Sequence, residues 1–290
     1  MKRLLVSVVV PTWGNANYIE KCVKSILNQS FKNFELIIVD DCSRDNTLGI
    51  LKKFKDKRLK VFKTSKNSGS AFARNFGVNN SKGKYIFFTD SDCIASKNWI
   101  IEGLKVFEKE KCLGIEGITY YVSKSYKPTA SDRIVKNLSG GQYMTCNAAY
   151  KRETIKKIGG FDPNLMRKQD RDLALKVKGF GKIVFSKNMK VYHQKIKWDF
   201  KSRIKFDIAG AKTRVFLFKR YKDNVKIIGR IYMPLNLLAI FIPPVILGSL
   251  FMHKFKSKED YKTLLYIYPS LICERIALWK TAIKERVFLI

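Results

Sequence analysis

Asp90 and Asp92, in the run Asp90-Ser91-Asp92, are the acidic pair of this chain best placed to do chemistry. They follow directly on residues 85–89, Tyr-Ile-Phe-Phe-Thr, which have the composition of a short, fully buried strand. In an open α/β sheet, ligands collect beyond the carboxyl ends of strands, where these side chains would meet one. Two carboxylates so close repel each other, and a cation between them or a proton on one relieves the repulsion. Oxygen ligands of this kind suit Mg2+ or Mn2+, which bind one or two carboxylates and complete their shells with substrate phosphates. A solvated Asp-Ser-Asp turn answers the same repulsion with water, so the pair alone leaves both readings open. A second acidic pair, Asp40-Asp41, closes the strand predicted over 34–39 in the same way.

The elements that must position these pairs alternate along the chain. Residues 4–10 read as a buried strand ended by Pro11. Residues 18–28 read as a helix, with Asn17 as N-cap, Glu20 in its first turn, and Ile19, Cys22, Val23, Ile26 and Leu27 at helical spacing. Strands are predicted over 34–39 and 59–63, helices over 47–54, 70–80 and 97–110, and a further strand over 115–122. Strand and helix in alternation, with short connections, predict an α/β fold with a Rossmann-like, mainly parallel sheet and right-handed crossovers. Dinucleotide binding would call for Gly-x-Gly-x-x-Gly after the first strand. The loop here, Pro11-Thr-Trp-Gly14-Asn-Ala-Asn17, has one glycine, and no Gly-rich loop ending in Lys-Ser/Thr occurs. NAD and P-loop chemistry are therefore not supported.

Several short motifs then fall into one series. Val8-Val-Val-Pro11-Thr12, Val39-Asp40-Asp41-Cys-Ser43-x-Asp45-x-Thr47, Asn67-x-Gly69 with Ala73-Arg74-Asn75-x-Gly77, and Asp90-x-Asp92 come first. Gly159-Gly160-Phe161-Asp162, Asp170-x-Asp172-Leu173 and His193 follow. In order and spacing the set resembles family 2 glycosyltransferases across residues 5–195. The resemblance implies a GT-A type fold, a nucleotide-diphosphate sugar donor (UDP-linked in expectation), a divalent metal, Mn2+ or Mg2+, and inversion at the anomeric carbon. It implies that Pro11, Thr12 and Asp40 line the base pocket, with Asp40 accepting from a uracil-like imide. Arg74 would approach the diphosphate, a task its planar guanidinium suits better than lysine. Asp90 would reach the ribose with Ser91 beside it on the donor side, and Asp92 would hold the metal. His193 would add a contact to metal or diphosphate.

Departure of the leaving group builds negative charge that a metal at Asp92 would neutralise. The acceptor hydroxyl needs a carboxylate base within hydrogen-bond reach. The resemblance assigns that base to Asp170, the aspartate of the family's Glu-Asp pair, and Gln169 stands here in place of the glutamate. Gln169 can hydrogen-bond an acceptor or orient a loop but carries no charge, which also admits a non-catalytic, sugar-nucleotide-binding relative. Asp172 is expected to cap a helix and Asp41 to hold the turn after it. Asp162 is expected either on the acceptor side or as a turn residue, presented by the Gly159-Gly160 turn. Trp13-Gly14 departs from the aromatic-asparagine pair more usual in the family.

The formal net charge of +33 points to an anionic partner. Residues 196–230 concentrate it, with eleven Lys or Arg against three Asp, and lead into 231–252, 22 residues without a charge. That length can span a bilayer, although Pro234, Pro243 and Pro244 would bend a helix there. Residues 263–273, with Pro269, are too short to span and read as interfacial. The expected organisation is a catalytic domain over 1–195, a basic amphipathic connector over 196–230 and membrane-associating helices over 231–290. A basic stretch beside an apolar one suits an anionic membrane surface on its cytoplasmic face, and hence a glycan or lipid-linked acceptor. Met1-Lys-Arg leads straight into a strand, so no signal peptide is expected. Aromatic residues sit mostly in apolar strand and helix positions and do not interleave with a basic stripe, so no specific nucleic acid is expected. The six cysteines lie far apart without a Cys-x-x-Cys pair, which signals neither a zinc site nor a disulfide framework and suits reduced thiols.

Overall fold

The computed structural model describes residues 5–127, 129, 132–197, 199–221 and 258–287, so the uncharged stretch 231–252 lies outside the described residues. The described elements are β1 (Val6–Thr12), α1 (Ile19–Leu27), β2 (Phe34–Asp40), α2 (Thr47–Leu51), β3 (Leu59–Lys63), α3 (Ser70–Asn79), β4 (Tyr85–Phe88) and β5 (Cys93–Ala95). They continue with α4 (Trp99–Lys109), β6 (Gly114–Tyr121), β7 (Ala148–Lys151), α5 (Arg152–Lys157), α6 (Gln169–Lys178), β8 (Ile183–His193), α7 (Phe200–Tyr221) and α8 (Lys258–Lys284). Two compact units result. The first comprises Met1–Tyr126, Val135–Asn164 and Gln169–Gln194, and the second Lys127–Ile134, Leu165–Lys168 and Lys195–Ile290.

The first unit is built on an eight-stranded sheet in the order β3-β2-β1-β4-β7-β6-β8-β5. β3, β2, β1 and β4 run parallel, β7 is antiparallel to β4, and β5 is antiparallel to β8. Every residue of β1 and β2 is buried, as expected of central strands covered on both faces. Alternation along β1 sorts the core. Val8 and Val10 face a layer with Ile19, Val23 and Ile26 of α1 and Trp99 of α4. Val9 faces the opposite layer with Ala73 and Val78 of α3, Ile155 of α5 and Leu173 of α6.

Three local expectations change. β1 continues through Pro11 to Thr12 because pairing with β4 stops at Val9. Residues of a parallel strand address their two neighbours alternately, and Thr12 addresses β2 by accepting from the Asp41 amide at 2.8 Å. Pro11 therefore faces the side where the ladder has already ended, and its missing N–H costs nothing. Asn17 does not cap α1. The N-cap is Tyr18 without a side-chain bond, and the amides of Tyr18 and Ile19 both donate to the Asn15 carbonyl at 3.0 Å. The backbone turn thus takes the donors that a cap would have satisfied. α2 stops at Leu51, not at residue 54, as Lys53 and Phe54 bond back three residues and tighten the turn.

In the second unit, α7 and α8 pack through small and branched residues, Ala211 and Val215 against Leu278 and Ala282. Lys219 pairs with Glu285 at 2.8 Å, Arg214 pairs with Glu274, and Ser270 donates to Asp207 at 2.5 Å. Residues 263–273, expected as a separate interfacial run, belong to the single helix α8, which continues through Pro269. Among the described residues no helix is long and apolar enough to cross a membrane.

Candidate functional site

The carboxyl ends of β1, β2 and β4 bring Thr12, Asp40 and Asp90 to one edge of the sheet, and side-chain bonds stitch the loops that leave them. Asp40 is fully buried, and its two oxygens accept from the Ser43 amide (3.2 Å) and the Ser43 hydroxyl. Ser43 Oγ in turn accepts from the Gly14 amide at 2.9 Å. Asp45 accepts from the Ala16 amide at 2.9 Å and the Thr47 hydroxyl at 2.6 Å, and Thr47 Oγ1 accepts from the Asn15 amide at 3.1 Å. Burial raises the Asp45 carboxyl, but bonds from Thr47 and Ala16 outweigh it and hold the group below its usual range. Asn15 Nδ2 reaches Ser91 Oγ at 2.7 Å, tying this loop to the acidic run. Ser43, Asp45 and Thr47 stand in the sequence as one motif, but the bonds that stitch them to residues 14–16 come only with the fold, and the spacing of short cap-forming side chains is what marks them. Trp13, beside this knot, is 55% exposed.

Asp41 serves a turn other than the one expected. It accepts from Thr64 Oγ1 (2.9 Å) and from the amides of Ser68 (3.0 Å) and Gly69 (2.6 Å), just before α3. Gly69 has φ +89°, which a side chain would strain. This fixes the start of α3 and so aims Arg74. The Arg74 guanidinium donates to Asp90 Oδ1 at 2.7 Å and to Gln169 Oε1 at 3.4 Å, and lies 5.7 Å from the Phe161 ring centroid. Gln169 Oε1 also accepts from Ser70 Oγ at 3.0 Å. Arg74, expected at the diphosphate, is therefore held between Asp90, expected at the ribose, and Gln169.

Asn75, next to Arg74, clamps the Gly-Gly-Phe turn from both sides. Its Oδ1 accepts from the Phe161 amide at 2.9 Å, and its Nδ2 donates to the Phe161 carbonyl at 2.8 Å. Gly160 has φ +70°, and a Cβ there would meet Asn75 Oδ1 at 2.5 Å, so both conformation and space require glycine. Asp162 Oδ1 accepts from the Asn164 amide at 2.9 Å, as a turn residue does. Beyond that turn, α6 begins with Gln169 and Asp170. Asp172 is fully buried and pairs with Lys176 at 2.9 Å. Asp170 is half-buried and accepts from the Arg171 amide at 2.8 Å. Burial, and then the Asp170 charge, push the Tyr150 phenol well above its usual range.

Asp92 leaves the acidic run on the other side. Its carbonyl accepts from the Gln194 amide at 2.8 Å, and its Oδ1 lies 3.3 Å from His193 Nε2. The His193 Nδ1 faces the Gln194 carbonyl at 2.9 Å. That carbonyl can only accept, so Nδ1 is the donating nitrogen there and Nε2 is the one turned toward the carboxylate. A carboxylate oxygen and a ring nitrogen at this distance are both ligands a divalent cation takes, so the residues fit a metal. Asp92, Cys93 and His193 bring one ligand atom each within 4.8 Å of one another. Burial raises the Cys22 thiol, with the Asp92 carboxylate adding to the rise, and burial raises the Cys93 thiol, with a bond to Cys146 and then the Asp92 carboxylate adding to it.

The model of glycosyl transferase family 2 matches residues 7–166 of this chain. A putative teichuronic acid biosynthesis glycosyltransferase, TuaG of Bacillus subtilis, is 40% identical over 110 residues, 37% of this chain and 44% of the relative. WfaP of Escherichia coli, a UDP-Glc:α-D-GlcNAc-diphosphoundecaprenol β-1,3-glucosyltransferase, is 32% identical over 156 residues, 53% of this chain and 62% of the relative. The matched stretch thus spans less than two thirds of either relative's length. Among solved structures, the mannosyltransferase PcManGT from Pyrobaculum calidifontis, in complex with GDP-Man and Mn2+, superposes with a TM-score of 0.66 at 17% identity. That likeness covers 96% of this chain and 88% of the other. S. aureus TarS 1–349 in complex with UDP-GlcNAc gives a TM-score of 0.62 at 19% identity, covering 99% and 93%. At these identities the likeness establishes the fold, the GT-A type, with its C-terminal helices.

Proposed function

The chain belongs to glycosyl transferase family 2, and we propose that it transfers a sugar, with inversion, from a nucleotide-diphosphate donor, UDP-linked, to a hydroxyl of a lipid-linked or membrane-proximal glycan. The observation that carries this reading is the acidic run after β4: Asp90 is held by Arg74 at 2.7 Å, and Asp92 stands 3.3 Å from His193. A nucleoside diphosphate leaving group needs positive charge at its phosphates. A divalent ion, Mn2+ or Mg2+, held by Asp92 and His193 would supply it as a Lewis acid. Pro11, Thr12 and Asp40 take the base, Asp90 and Ser91 the ribose side, and Arg74 the diphosphate side.

Asp170 takes the acceptor's proton. Of the two acidic residues in the first turn of α6 it is the half-exposed one, whereas Asp172 is buried against Lys176. Gln169, bonded to Ser70 and Arg74, sets the approach of α6 to the site and lines the acceptor side with Asp162. The WfaP name specifies a UDP-sugar and a diphosphoundecaprenol-linked acceptor, which supports the same classes here. Residues 1–195 carry the catalysis, 196–230 connect, and 231–290 meet an anionic membrane on its cytoplasmic face. α7 supports that assignment with exposed Phe200 and Phe216 among exposed Lys201, Lys205 and Lys212.

The test is a panel of nucleotide sugars screened by thermal shift with and without Mn2+, since a ligand that binds only the folded state raises its apparent stability. At least one UDP-sugar should raise the midpoint more with Mn2+ than without it. No shift from any nucleotide sugar would sink the reading.

A further inference from the structure

The spacing of the cysteines along the chain signalled no metal site, yet the fold places one thiol among the residues assigned to the metal. β5 and β8 pair antiparallel with Cys93 directly opposite His193, and Asp92 precedes Cys93. Cys93 Sγ lies 3.7 Å from Asp92 Oδ1, and His193 Nε2 lies 3.3 Å from the same oxygen. Around a tetrahedral Zn2+ with bonds of about 2.3 Å to sulfur and about 2.0 Å to oxygen and nitrogen, neighbouring ligand atoms stand roughly 3.5 Å (O to S) and 3.3 Å (O to N) apart. Both observed edges match. The remaining edge, sulfur to nitrogen, falls within the 4.8 Å that encloses all three atoms. Cys93 and His193 are buried, whereas the Asp92 side chain keeps 15% exposure, leaving a way in.

We propose that Asp92, Cys93 and His193 form a three-ligand site selective for thiophilic divalent ions, so that Zn2+ displaces Mn2+ or Mg2+ and holds this corner of the protein through sulfur. The selectivity follows from ligand chemistry. Mg2+ and Mn2+ prefer oxygen and leave a neutral thiol alone, while Zn2+ takes thiolate, imidazole and carboxylate together and sits above Mn2+ in intrinsic affinity. On binding, the Cys93 S–H bond breaks, a Zn–S bond forms and the proton leaves to water, because a coordinating thiol is deprotonated outright. Three protein ligands leave a fourth position open, as in zinc sites that bind water or substrate. The inference rests on Asp92 and His193 as metal ligands but not on the transfer reaction, so the two fail separately.

The experiment uses the full chain stripped of metal. Cd2+ is titrated as the probe and the ultraviolet thiolate-to-cadmium charge-transfer band is recorded for the wild type, Cys93→Ser and Cys112→Ser. Zn2+ is then added to the Mn2+-loaded protein while the signal of free Mn2+ is followed by electron paramagnetic resonance. A saturable band is expected in the wild type and in Cys112→Ser. It should be lost in Cys93→Ser, with Cd2+ affinity down by more than ~10-fold, the least that even an outer-shell change costs such a site. Zn2+ should release Mn2+. X-ray absorption on the Zn2+-loaded wild type should show one sulfur at about 2.3 Å, a readout that stands even where Cys93→Ser does not fold. A shell of nitrogen and oxygen only, a band that survives Cys93→Ser, or Mn2+ that stays bound as Zn2+ enters would each overturn the proposal. A sulfur shell in a protein without transferase activity would refute the function and leave the site standing.

Discussion

The Arg74–Asp90 pair separates two ideas about what Arg74 does before any donor arrives. At 2.7 Å, in an effective dielectric of about 20, the two charges attract by roughly 6 kcal/mol before desolvation is counted. The Arg74 side chain is 8% exposed and that of Asp90 is 31%, so water screens one partner and the other has been stripped of it. Most of the raw attraction is offset in such a pair, and contacting residues couple by about 0.5–3 kcal/mol in practice. We expect a coupling near 2 kcal/mol. Asp90→Asn strands a buried guanidinium and should cost about 3 kcal/mol, near the low end for breaking a buried pair. Arg74→Met should cost a similar amount. The double variant should then cost about 4 kcal/mol, where independent sites would give about 6 kcal/mol. Urea unfolding of the four proteins without nucleotide, with unchanged m-values, is the measurement. Additivity to within ~0.5 kcal/mol would refute the argument that Arg74 first positions Asp90.

Asp92→Ala should remove the Mn2+-dependent part of UDP affinity in calorimetric titration, and equal affinities with and without Mn2+ in the wild type would count against the site. Asp170→Asn should keep donor binding and lose transfer by about 10²–10⁴-fold, the usual contribution of a positioned base. Asp172→Asn should instead lower stability while active molecules turn over normally; the opposite pattern would exchange the two roles. Glu35 ties β2 to the Ser7 hydroxyl (2.6 Å), the Lys82 amide (2.7 Å) and Lys60 (2.6 Å). Burial raises its carboxyl, but the Lys60, Ser7 and Lys82 bonds outweigh it and the group sits below its usual range. A lowered carboxylate contributes stability above its unfolded pKa and loses it as pH falls through the folded one. Glu35→Gln should therefore cost about 1.5–3 kcal/mol at neutral pH, the worth of a hydrogen bond to a charged group. That deficit should shrink in urea midpoints taken toward acid pH, and a deficit independent of pH would contradict it.

Local pattern made the parallel half of the sheet legible, because a strand buried on both faces and an amphipathic helix each announce themselves within a few residues. The edge of the site was legible for the same reason: acidic residues at strand ends must gather where parallel strands end. What escaped was long-range pairing. Asn75 meets Phe161 across 86 residues, and Arg74 meets Gln169 across 95. Nothing near either position reports its partner. The cysteines sharpen the point. Metal sites are read from sequence when ligands share one loop or one helix face, whereas Cys93 and His193 are brought opposite each other by the β5–β8 register. Register is set by which side chains of two distant strands are buried together, and a slip of one residue would turn Cys93 and His193 to opposite faces. The soft ligand beside Asp92 thus depends on the fold of the whole first unit, and a variant that disturbs β8 far from the acidic run should weaken Cd2+ binding as surely as one that removes the sulfur.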